Sequence, residues 1–167
     1  MSTYRCMRRT DRATVCVVQV RAMSEKWDIR FLELAKHISG WSKDPSTKVG
    51  CVVVGGDREI RSTGFNGFPR GINDDEDRLT DRDKKYPLIC HAEENAIMHA
   101  ARIGVSLKGS TAYVTWPPCS RCARSLIQAG IEEIVYPETD GIPERWLEDF
   151  NISNGMLLEA GIHVRTV

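Results

Sequence analysis

The sequence predicts an α/β fold, a three-layer α/β/α domain around a five-stranded mixed sheet whose second half is mostly parallel. Three observations carry that expectation. Trp27, Phe31, Leu34, Ile38 and Trp41 recur every three or four residues, the spacing of one apolar helix face. The β-branched run VGCVVV at 49–54 is followed by turn residues and then by a second extended run. From residue 91 onward, helical and strand-like segments alternate. A chain of 167 residues, 41% hydrophobic and 28% charged, has the size and composition of one such domain rather than two.

Taken in order, residues 1–22 stand apart. Their apolar run VCVVQV is shorter than the roughly 7 to 15 residues of a signal-peptide core, and Met23 immediately precedes a strong helix start. Residues 1–22 therefore read as an N-terminal extension and 23–167 as the folded domain. Ser24 is placed to cap the first helix, which ends near Gly40, and both Trp27 and Trp41 are expected to pack in the core. GGDR at 55–58 turns the chain between VGCVVV and EIRSTGF, giving a hairpin. Arg70 to Lys85 holds five basic and six acidic residues, so it reads as a solvated loop, able to act as a lid and held by ion pairs or oligomer contacts. HAEENAIMHAARIG at 91–104 is an alanine-rich helix that Gly104 terminates. TAYVTW at 111–116 is a strand broken by Pro117 and Pro118, CSRCARSLIQAG a helix to Gly130, and IEEIVY the next strand. PERWLEDF and MLLEAG form a last helix, interrupted around Asn151 to Gly155, before the strand IHVRTV.

Twenty-three basic residues balance twenty-three acidic ones, which argues against a protein that coats nucleic acid or an anionic membrane. No apolar run approaches the roughly 20 residues of a membrane-crossing helix. Six cysteines, at 6, 16, 51, 90, 119 and 122, lie in a chain of this length without a secretory signal, so reduced thiols and a cytoplasmic location are expected.

The chemistry concentrates in two short motifs. His91 is followed two residues later by Glu93 at one helix start, and Pro118 precedes Cys119 and Cys122 at another. Cysteines three apart share a helix face, so both thiolates reach one ion and His91 completes a three-ligand set. Soft sulfur with imidazole selects zinc, and three protein ligands leave a position for a water that ionises near neutral pH. Helix N-termini favour the thiolate forms. Glu93, beside that water, reads as general acid and base. A C-x-x-C pair alone is equally at home in a structural zinc knuckle, with Cys51, Cys90, His99 or His163 as fourth ligand. Such a site has no use for Glu93 or for the double proline, and the joint H-x-E and P-C-x-x-C pattern is the signature of zinc deaminases.

At HAEENAI and PPCSRC the chain resembles the cytidine and deoxycytidylate deaminase superfamily. SKDPSTKVG at 42–50, GFNGFPRG at 64–71 and LIQAGIEEIVY at 126–136 are similar to its deoxycytidylate (dCMP) deaminases, and the likeness runs from about Trp27 to Val167. The resemblance implies the cytidine-deaminase-like fold, one catalytic zinc, and hydrolysis of dCMP to dUMP and ammonia on the way to thymidylate, with Glu93 moving protons between water, ring N3 and the departing amine. It implies that Asn66 meets the sugar, although Asn-Gly is also ordinary turn chemistry. Ser42, Lys43, Ser46 and Lys48 are the phosphate donors it suggests, and Tyr136 an aromatic neighbour of the nucleotide. It further implies a homo-oligomer, commonly a hexamer, with dCTP and dTTP as effectors. Residues 52–89 contain neither Cys nor His, so a second, structural zinc is not expected there. Phe65 stands where the family commonly has tyrosine, which puts the effector site in question. The same metal chemistry serves dCTP, a 5-modified dCMP, a nucleoside or a tRNA adenosine, the last disfavoured by the neutral charge. A non-catalytic zinc module is the rival of a different kind.

Overall fold

The computed structural model describes residues 24–139 and 141–167; the readings made for residues 1–22 and Met23 lie outside the described residues. The elements are α1 (Glu25–Ser39), β1 (Gly50–Val54), β2 (Ile60–Phe65), α2 (Glu76–Thr80), α3 (Arg82–Lys85), α4 (Ala92–Ile103), β3 (Ser110–Val114), α5 (Ser120–Gln128), β4 (Ile131–Tyr136), α6 (Glu144–Glu159) and β5 (His163–Thr166). The strands form one sheet in the order β2-β1-β3-β4-β5. β1 is antiparallel to both β2 and β3, whereas β3, β4 and β5 run parallel. This is the mixed five-stranded sheet the sequence predicts, with its parallel half built by the β3-α5-β4-α6-β5 alternation.

Burial on both faces explains the unbroken apolar run in β1. Cys51 and Val53 face a cluster with Ala92, Ala96 and Ala100 of α4, Ala123 and Leu126 of α5, and Leu157 of α6. Val52 and Val54 face the other way, onto Phe31, Ala35 and Ile38 of α1. One helix thus covers one face and three cover the other. α1 is fastened further by Asp28, fully buried, which accepts hydrogen bonds from the Tyr113 hydroxyl at 2.8 Å and from the Arg165 guanidinium at 2.9 and 3.2 Å. Among the described residues, no helix is long and apolar enough to cross a membrane.

Three expectations need correction. Trp41 is 56% exposed, lying edge-on to Phe65 just past the end of α1 instead of in the core. The helical face that buries Phe31 and Ile38 ends with the helix at Ser39, so the periodic spacing no longer points Trp41 inward. The charged segment 70–85 is not a plain loop: it folds into α2 and α3, burying Leu79 and Lys85. α6 is continuous through Asn151 to Gly155. Phe150, Ser153 and Leu157 fall on its buried face, and tertiary packing there overrides the weak helix propensity of Asn, Ser and Gly.

Gly64 in β2 decides how closely α4 approaches the sheet. A Cβ at this position would overlap the Ala92 carbonyl oxygen and the Ala96 amide nitrogen, both backbone atoms that have no rotamer to escape into. The Ser62 hydroxyl donates to the Ala96 carbonyl at 2.6 Å, and the Asn95 amide donates to the Phe65 carbonyl at 2.8 Å, closing the same seam. Gly64→Ala should cost about 1 to 3 kcal/mol by overpacking. For a chain of this size each kcal/mol lowers Tm by about 2 to 4 °C, a shift that thermal denaturation followed by circular dichroism would register.

Candidate active site

Both helices that carry the motifs begin at a candidate ligand. His91 is the residue that precedes α4 and Cys119 the one that precedes α5; each has extended backbone (φ −76°, ψ 163° and φ −71°, ψ 168°), and neither side chain caps its own helix. The side chains are left to turn toward each other. His91 Nδ1 lies 3.4 Å from Cys119 Sγ and 3.3 Å from Cys122 Sγ, and the three ligand atoms all fall within 4.8 Å of one another. Two ligands of a tetrahedral zinc, with Zn–S near 2.3 Å and Zn–N near 2.0 Å, stand roughly 3.5 Å apart. The donor set and its spacing therefore fit one zinc ion.

The seat of His91 is set by backbone pairing: Gly67 and Cys90 exchange two hydrogen bonds, at 3.0 and 2.9 Å, in an isolated antiparallel bridge. Arg121, between the two cysteines, reaches back to the Ile89 carbonyl at 3.2 Å and to Glu94 at 3.4 Å, linking the two helix starts. Cys119 is pulled down to about 4, first by the hydrogen bond from Cys122 and then by His91, against the opposing effect of burial. Cys122 is pushed up by its hydrogen bond to Cys119 and by burial, and His91 is raised by its hydrogen bond with Cys119. Thiolate sulfur and neutral imidazole are the forms that bind a metal, so a cation held by these three groups would displace their protons. Glu93, in the first turn of α4, is 4% exposed, and burial raises it from 4.5 to about 7. A carboxyl tuned this close to neutrality can both take and give a proton.

The residues expected on the substrate side divide sharply. Ser42 is buried; its hydroxyl donates to the Asn66 carbonyl at 2.8 Å and accepts from the Asp44 amide. Asn66, also buried, accepts from the Val49 amide at 2.8 Å and donates to the Thr47 carbonyl at 2.8 Å and to Asp44 at 3.4 Å. Both side chains knit the 42–49 loop to the end of β2. Lys43 is exposed and paired with Asp74 at 2.8 Å, and Lys48 is exposed. Tyr136 is half-buried at the C-terminal end of β4, the edge from which the 115–119 turn leaves β3; burial raises its hydroxyl. Ligands of open parallel sheets gather at this end of the strands.

Sequence reading missed the group on which that loop turns. Asp44, 5% exposed, accepts from the Ser46 and Thr47 amides, from Asn66 and from the ammonium of Lys85 at 3.2 Å, and Lys85 is itself only 6% exposed and also donates to Ser46 at 3.4 Å. An Asp before Pro-Ser-Thr is a turn-former, a signal that was available; its partner 41 residues away was not. Asp149 and Ser153 of α6 were missed as well. Asp149 accepts from the Ser120 amide at 3.0 Å and from the Ser120 hydroxyl, and Ser153, fully buried, donates to the Pro118 carbonyl at 2.7 Å. No local pattern marks either.

Residues 25–138 match the model of the cytidine and deoxycytidylate deaminase zinc-binding region. The chain belongs to the cytidine and deoxycytidylate deaminase family. Within it, the chain is 43% identical over 143 residues to an uncharacterized deaminase in the luxG 3′ region of Aliivibrio fischeri, covering 85% of this chain and 94% of that protein. It is 40% identical over 119 residues to the deoxycytidylate deaminase of Mus musculus, covering 66% of this chain and 64% of that enzyme's length. The dCMP deaminase of the cyanophage S-TIM5, solved in complex with dCMP and dUMP, superposes with a TM-score of 0.71 at 27% identity, over 87% of this chain and all (100%) of that one. The family's fold and zinc-binding region accord with the three-ligand group found here, and this deaminase is a hydrolytic enzyme.

Removing one partner of a buried ion pair strands the other charge, at about 3 to 5 kcal/mol. Asp44→Ala should therefore lower the urea midpoint of unfolding strongly. Asp44→Ala combined with Lys85→Met should recover part of that loss. Additive effects in this double-mutant cycle would mean that the pair is not coupled.

Proposed function

We propose that the chain hydrolyses dCMP to dUMP and ammonia, supplying dUMP for thymidylate synthesis. The observation that carries the reading is the convergence of His91, Cys119 and Cys122 with the buried carboxyl of Glu93, two residues beyond His91 in the first turn of α4, in a fold shared with a deaminase solved with dCMP and dUMP. His91, Cys119 and Cys122 would hold the zinc, which would supply an acidified water and charge stabilisation at C4 of the pyrimidine. Glu93 takes one proton of the attacking water and passes it to ring N3, then takes the second from the hydroxyl formed at C4 and delivers it to the amine, which departs as ammonia while C4 becomes a carbonyl. Burial keeps bulk water from competing for these protons.

On the nucleotide side, Asn66 is assigned to the sugar and Ser42 to the wall behind the phosphate. Their internal hydrogen bonds make them fixed points rather than free donors. Lys43, paired with Asp74, and the exposed Lys48 carry the positive charge for the phosphate, and Tyr136 lies beside the base. Residues 23–167 constitute the deaminase domain, supported by a family match that begins at residue 25, where α1 starts. A homo-oligomer, commonly a hexamer among family members, rests on the family resemblance. The response to dCTP and dTTP rests on the family resemblance, and a cytoplasmic location on the reading of the cysteines as reduced thiols.

The test offers the purified zinc protein dCMP, dCTP, deoxycytidine and CMP in parallel and measures ammonia and product. dCMP should be preferred. Glu93→Ala should keep its zinc and lose about 10²- to 10⁴-fold in kcat, and stripping the metal with a chelator should abolish a turnover that added zinc restores. A variant as active as wild type would overturn the role of Glu93. Preference for dCTP or the nucleoside would overturn dCMP as the substrate together with the phosphate assignment, and would leave the roles of the three ligands and Glu93 standing.

A further inference from the structure

The family region ends at residue 138, yet α6, which follows it, touches the metal-ligand loop on both sides of Cys119. We infer that Asp149 and Ser153 of α6 are positioning residues for the zinc site, holding the Pro118–Ser120 backbone so that Cys119 and Cys122 meet His91. The inference rests on the zinc-site reading above.

The need for such a clamp follows from the geometry. A helix start leaves several backbone N–H groups unpaired, and the residue preceding the helix ordinarily satisfies one with its own side chain. At α5 that residue is Cys119, whose sulfur is turned toward His91 and makes no capping hydrogen bond. The duty passes to Asp149, 29 residues away, which accepts the Ser120 amide and the Ser120 hydroxyl with its two carboxylate oxygens. On the other side of Cys119, Pro117 and Pro118 have no N–H of their own with which to anchor the turn. The Pro118 carbonyl is instead fixed by the buried Ser153 hydroxyl at 2.7 Å. Positions 149 and 153 are four apart on α6, so one face of one helix delivers both bonds. Phe150 and Leu157, buried beside them, fix that face against the core.

The Asp149 carboxylate brings a negative charge as well as two hydrogen bonds to this turn. Asparagine reproduces its hydrogen bonds without that charge: its Oδ1 accepts the Ser120 amide and its NH₂ donates to the Ser120 hydroxyl oxygen. The two bonds, not the charge, are the positioning device.

The experiment measures zinc release from the full-length holoprotein to a chromogenic chelator, beside zinc content, circular dichroism and the KM and kcat for dCMP. Asp149→Leu and Ser153→Ala should each speed zinc release by about 10- to 100-fold, the range for residues that orient metal ligands. Asp149→Asn should release zinc at close to the wild-type rate, and KM should stay near wild type in all three. Wild-type release rates in a folded Asp149→Leu and Ser153→Ala would overturn the inference while leaving the zinc site standing. Should Asp149→Leu not fold, Asp149→Asn and Ser153→Ala decide: fast release from the asparagine variant, or unchanged release from Ser153→Ala, overturns it. A wild-type protein that takes up no zinc would overturn the site reading itself.

Discussion

His91 opens α4 while Cys119 and Cys122 open α5, so the two helix starts must hold their mutual position to within about 0.5 Å for the three side chains to act as one ligand set. Neither helix can secure this alone. α4 is drawn onto β2 through the missing side chain of Gly64 and the Asn95 and Ser62 hydrogen bonds, and α5 follows from the turn that leaves β3. β1 lies between those two strands, antiparallel to both, with Cys51 opposite Gly64 on one side and Val114 on the other. The Thr115 hydroxyl accepts the Gly50 amide at 3.0 Å, extending that pairing to the root of the cysteine turn. The site is thus a consequence of sheet register carried outward by two helices. A slip of one residue in β1 would reverse its faces and separate the ligands.

The opposite face of the sheet contributes at a distance. Arg165 of β5 lies between two buried carboxylates, bonding Asp28 of α1 and Glu133 of β4 at 2.7 to 3.2 Å, while Thr111 and Tyr113 of β3 supply hydroxyls to the same acids. Burial and the neighbouring Asp28 push the Tyr113 hydroxyl well above its ordinary range, so it remains a hydrogen-bond donor. Both acids have partners, and the network joins α1, β3, β4 and β5. This network fastens the edge strand β5, into which α6 runs, and so helps fix the helix that carries Asp149 and Ser153 above the start of α5. An interaction on the face away from the metal ligands thereby supports their geometry.

How much of this was legible in the sequence follows from the range of the forces involved. The paired strands β1 and β2, the helix over HAEENAIMHAARIG and the alternation from β3 to β5 are written in local periodicity and turn chemistry, and they stand where the residues place them. His91, Glu93, Cys119 and Cys122 were legible because their spacing within two short motifs is itself the chemistry. Trp41 was misread because periodicity does not say where a helix stops. The continuity of α6 was hidden because Ser153 and Gly155 have poor intrinsic propensity, and the packing that overrides it comes from residues far along the chain. Lys85 looked like one more charge in a charged loop; only the fold reveals that it ends beside Asp44.

Chemistry and selectivity are consequently held by different kinds of structure. The groups proposed to act on the pyrimidine sit on helix starts locked by backbone pairing, where a change of residue disturbs the core. The groups proposed to face the sugar and phosphate sit on the 42–49 loop, whose shape comes from Asp44 gathering four sets of donors and from Lys85 closing over it. A loop of this kind can exchange its outward lysines at little cost in stability, because Lys43 and Lys48 are exposed while Ser42, Asp44 and Asn66 do the holding. Substrate preference can therefore shift between nucleotides without touching the ligands or Glu93, which is why one H-x-E and P-C-x-x-C pattern serves many substrates and does not by itself name the one used here.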